Sequence, residues 1–290
     1  MLQYYHMIRD LLPHEFPPLL SEIPEPPSRL RLWGAPPKPE NKLLAIVGSR
    51  KYSHYGREAL EEIVAGLAGY PITIVSGLAL GIDGLAHRAA MKAGLQTISL
   101  PGSGLDRRVL HPRSHYSLAE EIVEKGGGLI SEHDDTFPAG VWTFPKRNRI
   151  MAGMCHATIV VEAEMRSGTL ITSRLATEYN REVGAIPGPI SSPSSAGPHM
   201  LMRLGAAVIR DAGDVLELLG FERDGQGKLF DLDDLTNEEK IFAKILEHPC
   251  DRDTLIRKSK LDTAQASAVL SLMEIKGLIK EELGEVRKTF

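Results

Sequence analysis

The chain has 290 residues, 42% hydrophobic and 25% charged, enough to bury a full core and to form one large domain plus a small one. A net charge of −4 excludes a uniformly basic nucleic-acid binder and leaves room for a focused basic groove. No apolar run approaches the roughly 18–20 residues that span a bilayer, and MLQYYHMIRD lacks a basic region with an apolar run behind it, so neither a membrane span nor a secretory signal is expected. Two cysteines far apart in sequence, Cys155 and Cys250, do not make a disulfide framework, and a reduced cytoplasmic setting is expected.

Residues 1–40 carry nine prolines from Pro13 to Pro39, a density that predicts an extended lead-in arm with at most one or two short helical turns. From Leu43 onward, short apolar runs alternate with helical patterns. The predicted strands are LLAIVGS from Leu43, ITIVSG from Ile72, TISLPG from Thr97, GLISE from Gly128, TIVVEA from Thr158 and VGAIPG from Val183, with AAVIRDA from Ala206 as a seventh. Leu60, Ile63, Val64 and Leu67 recur at helical spacing between the first two. Uniformly apolar strands separated by helices predict a mostly parallel sheet covered on both faces, so residues 41–221 read as a doubly wound α/β domain. SSPSSAG from Ser191 reads as a mobile loop.

Residues 222–234, ERDGQGKLFDLDD, read as a polar acidic linker. In 235–290, Thr236 and Glu239 sit at capping-box spacing for a first helix. DRDTLIRKS is a second helix, Thr263 caps a third, and LIKEELGEVRKTF reads as two strands about a Gly turn. Three helices and a β-wing predict a winged-helix-like domain. Residues 231–290 hold ten Lys plus Arg against thirteen Asp plus Glu, a net −3, and Lys276 is the only cation on the third helix. Such a module is expected to meet protein rather than read a duplex.

In doubly wound sheets ligands bind at the carboxyl ends of the strands, which directs attention to the loops there. GSRKYSHYG after the first core strand is not GxGxxG, the second strand ends without an acidic residue, and no GxxxxGK[ST] occurs, so neither a dinucleotide site nor a P-loop is expected. The loop offers Gly48, Ser49 and Arg50, either a phosphate nest or a plain turn. In SGLALGIDGLAHRAA, Asp83 is expected to cap a helix and His87 to be structural. PGSGLDRR brings Gly102, Ser103, Gly104 and Arg107 to the same edge. The FPKRNRI run places Lys146, Arg147 and Arg149 around Asn148 ahead of a short helical run, and Phe144 offers a face for a nucleobase. Ser167, Gly168 and Thr169 open a further helix and offer amides and hydroxyls to an anion. Four such loops on one edge predict an anion-binding surface.

Other chemistries find less support. His111 and His115 have Pro112 between them and no third ligand, so neither zinc nor another metal or cofactor is expected. The EHDD run at 132–135 reads as a solvated loop, Cys155 as core, and no GxSxG elbow is present. Met200, Leu201, Met202 and Leu204 crowd a short segment, so part of that surface is expected to meet a partner.

GSR at 48–50, SGLALGID at 76–83, GLDRR at 104–108, FPKRNRIMAG at 144–153, VVEA at 160–163, SGTLIT at 167–172 and AIPGPI at 185–190 occur in that order. In this the chain resembles the bacterial DNA-processing protein A family (DprA, also called Smf) over about 41–221, and its C-terminal module resembles the winged-helix-like domain of many members. The helical N-terminal domain of many members has no counterpart here, and His199 stands where members more often have Asn. The resemblance implies an extended Rossmann-like domain that forms a homodimer. It also implies a cytoplasmic, non-enzymatic protein that binds single-stranded DNA, protects incoming strands in natural transformation and loads the RecA recombinase onto them. Carried over by motif, Arg50 and Lys146 are the principal DNA cations, with Phe144, Arg147, Asn148 and Arg149 around them. Gly48, Ser49, Ser167, Gly168 and Thr169 supply backbone and hydroxyl contacts.

Two other readings remain open at this level. Nucleotide-processing enzymes of the lysine-decarboxylase-like (LOG) type share a similar core, but their PGGxGTxxE loop has no match here, and Glu162 is only a loose stand-in for its Glu. The winged helix alone would suggest a transcription regulator.

Overall fold

The computed structural model describes residues 7–221, 236–246, 250–259, 261–275, 278–282 and 285–288. It divides into two compact units, Met1–Phe221 and Glu222–Phe290. The expected linker at 222–234, and with it Lys276 and Gly277, lies outside the described residues.

The larger unit is built on a nine-stranded sheet in the order β1-β2-β6-β5-β4-β3-β7-β8-β9. The strands are β1 (Ile8–Asp10), β2 (Arg31–Gly34), β3 (Lys42–Val47), β4 (Ile72–Ser76), β5 (Gln96–Ser99), β6 (Gly128–Ser131), β7 (Ala157–Val160), β8 (Glu182–Ala185) and β9 (Ala207–Val208). All seven predicted strands are present, and β3 to β9 pair in parallel. The helices are α1 (His54–Gly66), α2 (Ile82–Lys92), α3 (Tyr116–Glu124), α4 (Thr143–Met154), α5 (Thr169–Glu178), α6 (Ala196–Arg203) and α7 (Ala212–Leu218).

Pleat alternation divides the core in two. Leu44 and Ile46 of β3 face one cluster, with Leu60, Ile63 and Val64 of α1 and Val215 and Leu216 of α7. Leu43, Ala45 and Val47 face the other, with Ile150, Met151 and Met154 of α4. The Pro-rich lead-in differs from the extended arm expected of it. β1 and β2 add to the sheet, with β2 antiparallel both to β1 and to β6. Leu11, Leu20, Ile23 and Leu30 are buried in the second cluster. Gly153 of α4 makes this possible, because a side chain there would meet Ile23 Cγ2 at 2.6 Å. The prolines set short turns between buried leucines, and burial rather than proline content decides where the chain lies.

Two further expectations are corrected. The segment from Ser191 forms a short 3₁₀ turn (Pro193–Ser195), with Ser195 buried. The EHDD run is tied down by ion pairs: Arg149 and Lys146 bind Glu132, Arg29 binds Asp134 at 3.1 Å, and Arg31 binds Asp135 at 2.7 Å.

In the smaller unit α8 (Asn237–Ile245), α9 (Arg252–Ser259) and α10 (Thr263–Ile275) precede an antiparallel pair, β10 (Ile279–Glu282) and β11 (Glu285–Lys288). Phe242, Leu255, Leu270 and Val286 are among its buried residues. Thr236 and Glu239 form the expected capping box. Asp262, not Thr263, caps α10, its carboxylate accepting the Ala264 amide at 3.0 Å.

Candidate nucleic-acid interface

The chain runs outward from β3 through β4, β5 and β6, then returns to place β7 on the other side of β3. The carboxyl ends of β3 and β7 therefore flank the topological switch point, where a doubly wound sheet leaves a crevice. Three loops meet there. The Thr169 hydroxyl donates to the Gly48 carbonyl at 3.1 Å, tying the start of α5 to the end of β3. Ile82 N donates to the Ser49 carbonyl at 3.1 Å, tying in the loop after β4. Gly81, at φ +92°, lets that loop press onto Ser49 and Arg50, where any side chain would collide with their backbone. Ser49 and Ser167 fold their hydroxyls back onto their own loops, accepting from the amides of Lys51 and Thr169.

The result is a cleft of about 510 Å³, lined by Gly48, Ser49, Arg50, Phe144, Arg147, Asn148, Ser167, Gly168 and Thr169, with Val141, Glu164 and Arg166 among the rest. Arg50 is exposed and makes no hydrogen bond or ion pair among the described residues. Phe144 is half-buried, its ring against Gly102 and 5.9 Å from that of His111. Lys146 and Arg149 do not line the cleft.

The three motif cations fare differently because they lie on the first turns of α4 rather than ahead of it. Lys146 points outward with 46% of its side chain exposed, 3.5 Å from Glu132. Arg149 turns inward, bound to Glu132 and donating to the Glu25 carbonyl at 2.6 Å. Arg147 is only 8% exposed; it donates to the Gly77 carbonyl at 2.8 Å and to Asn148 Oδ1 at 3.0 Å. Arg147 also answers Asp83. Burial pushes the Asp83 carboxyl up and the Arg147 guanidinium down, and each charge opposes the other's shift. Arg147 thus braces the cleft from within and Arg149 ties α4 to Glu132 and to the lead-in, while Arg50 and Arg166 are the exposed cations on the cleft wall and Lys146 is exposed outside it, paired with Glu132.

Asp83 does not cap α2, whose cap position is Gly81. It lies within the first turn and accepts the Ala79 amide of the preceding loop at 3.4 Å. His87 is structural as expected: Nδ1 lies 2.7 Å from the Thr97 hydroxyl, and burial depresses the ring to about 3. Cys155 is buried in the core, which pushes its thiol up. Glu162 accepts from the Ser53 amide, the Ser53 hydroxyl and the Ser194 hydroxyl at 2.8, 2.7 and 3.0 Å. Glu162 thus anchors the start of α1 and the 191–195 turn, which is poor placement for a catalytic carboxylate. Sequence reasoning missed Arg166, an exposed cation on the cleft wall. Its position next to Ser167-Gly168-Thr169 was the available signal.

Among the described residues no helix is long and apolar enough to cross a membrane. A second cleft, of about 780 Å³, lies between α5 and α6, with Met165, Leu170, Met200, Leu201 and Leu204 on its walls. Leu204 is 76% exposed, so the Met- and Leu-rich segment is only partly internal.

Residues 8–220 match the family model of the DNA recombination-mediator protein A, and residues 231–285 match that of the DprA winged helix domain. Protein Smf of Escherichia coli is 42% identical over 206 residues, 71% of this chain and 54% of that protein. The chain thus matches about half the length of that relative. The DNA processing protein DprA of Streptococcus pneumoniae is 41% identical over 197 residues, 68% of each chain. The solved structure of DprA from that species aligns with a TM-score of 0.67 at 36% identity, over 76% of this chain and 77% of the other. DNA processing protein A from Helicobacter pylori, whose structure is described in terms of a unique single-stranded DNA binding mode, aligns with a TM-score of 0.65 at 25% identity, over 74% and 97%.

Proposed function

The chain belongs to the DNA recombination-mediator protein A family, and from that premise we propose that it binds single-stranded DNA in the cleft at the switch point and acts as a non-enzymatic recombination mediator. The observation that carries this reading is the pair of exposed arginines, Arg50 and Arg166, on the wall of a cleft whose loops are locked together through Gly48, Ser49 and Thr169. Backbone amides held at a strand-to-helix turn, with exposed cations beside them, suit phosphate oxygens. With exposed arginines and loop amides as its anion contacts, binding is expected to be salt-dependent and weakly sequence-selective.

In the cell this activity would protect incoming single strands and deliver them to the RecA recombinase during natural transformation, in the cytoplasm. The protein would work as a homodimer through the face bearing Leu204. The smaller unit, acidic in balance, would serve protein contacts. The nucleotide-processing alternative draws little support from Glu162, which accepts three hydrogen bonds that anchor the start of α1 and the 191–195 turn. The test is fluorescence anisotropy with labelled oligo(dT) and a duplex of equal length at two salt concentrations. Tighter binding of the single strand, weakening steeply with salt, is expected. Equal or tighter binding of the duplex overturns the proposal.

A further inference from the structure

An aromatic cluster stands beside the cleft, outside the family motifs quoted above. The rings of His133 and Phe137 stack at 4.6 Å with 14° between their planes. The indole of Trp142 meets both edge-on, at 6.0 Å and 90° to His133 and at 5.8 Å and 77° to Phe137. Two rings thus fix the plane of a third, yet Trp142 remains 59% exposed and Val141 beside it 90%. Burying an indole face is worth far more than leaving it in water, so a braced and exposed indole calls for a ligand with a flat face.

Position and charge say which. Val141 lines the cleft, so the cluster adjoins it. Trp142 is the cap residue of α4, and Lys146 lies four residues on, about 6 Å along the helix axis and on the same side. The acidic groups nearby are already paired: Glu132 with Arg149 and Lys146, Asp134 with Arg29, Asp135 with Arg31. Burial and the charge of Lys146 hold His133 below its usual range, so the cluster is an uncharged platform at neutral pH. A flat apolar face with a cation one helical turn away suits a base and its neighbouring phosphate.

We propose that Trp142, braced by His133 and Phe137, stacks an unpaired nucleobase of a single strand running from the cleft past Lys146. This rests on the single-stranded DNA reading above and adds a subsite to it. A duplex keeps its bases stacked on one another and has none to offer, so the platform also contributes to strand preference. Because the bracing rings fix the indole in advance, little side-chain freedom is lost on stacking.

The chain contains two tryptophans, Trp33 and Trp142. In a Trp33→Phe protein Trp142 is the sole reporter, titrated with oligo(dT) and with an abasic strand of equal length. Oligo(dT) should quench its emission and the abasic strand should not. Trp142→Ala should bind oligo(dT) about tenfold more weakly, Trp142→Phe within about threefold of the parent, and the Ala variant should match the parent on the abasic strand. Unquenched emission at saturation together with unchanged oligo(dT) affinity in Trp142→Ala overturns the proposal, and would leave the cluster as a protein-docking surface or a brace. An equal defect on both strands also overturns it, since Trp142 would then act by positioning Lys146. Failure of the parent to bind either strand at low salt is the distinct result that removes the single-strand reading itself, and the subsite with it.

Discussion

Replacing Arg147 by Met separates architecture from binding within the FPKRNRI motif. Arg147 is 8% exposed and Asp83 7%, and the pair sits beneath the loop after β4. Met keeps most of the buried volume but removes the charge opposing Asp83 and the donor to the Gly77 carbonyl. No salt bridge joins the two side chains, so the loss is that of a through-space countercharge and of one buried donor, about 1–3 kcal/mol, against a total stability of about 5–15 kcal/mol for a domain. The loss should depend on pH in a defined sense. Burial raises the Asp83 carboxyl above its usual 3.8, and without Arg147 the rise is larger. A raised acid contributes stability at low pH and loses it as pH rises through the folded value. The gap between wild type and Arg147→Met should therefore be smallest near pH 4 and widen towards neutrality. Adding Asp83→Asn should recover most of the loss. Urea unfolding followed by tryptophan emission is the assay, because Trp33 and Trp142 both lie in the larger unit. A loss below about 1 kcal/mol, or an equal gap at pH 5 and pH 8, would refute the reasoning.

Arg50→Ala and Lys146→Ala should each weaken oligo(dT) binding and flatten the log–log salt dependence by about 0.7, with the double variant near twice that; an unchanged slope in the double variant removes both from the DNA path. Leu204→Asp should convert a dimer into a monomer by light scattering, and a wild-type protein that is already monomeric at micromolar concentration disposes of the interface. His87, depressed by burial to about 3, contributes stability that is intact above its ordinary 6.5 and lost as pH falls below it; His87→Gln should reduce the loss between pH 6.5 and 4.5 by about 2–3 kcal/mol in urea titrations. Removing residues 231–290 should leave oligo(dT) affinity within a few-fold of the full chain, and a collapse of binding with the larger unit still folded would move the DNA site to the winged helix.

The parallel core was legible because strands buried on both faces have an unmistakable pattern: β3 to β9 read as apolar runs between turns. The strands β1 and β2 were not, because IRD and RLWG are short and show neither an apolar run nor strand alternation, and the prolines around them dominate any local reading. Their place is set by pairing with β6, a contact almost a hundred residues away in sequence. The cleft was legible as a set of loops, yet the direction of each cation was not. Lys146, Arg147 and Arg149 look alike in sequence, but a helical turn of about 100° per residue sends one to solvent and two inward. Trp142 escaped notice because its bracing partners, His133 and Phe137, come from the preceding loop and nothing in their spacing announces a stack.

The antiparallel pair at the sheet margin has a consequence for how this protein can be cut. β6 is parallel to β5 on one side, and on the other its amides and carbonyls are taken up by β2. A shortened chain starting at residue 41, where composition changes, would leave β6 as a bare margin of unpaired backbone groups. It would also uncover the pocket that Leu20, Ile23 and Leu30 fill against α4. Open strand margins next to exposed leucines template association between molecules. The proline-rich segment therefore covers a margin that would otherwise favour association, and a folded fragment of the larger unit has to include it.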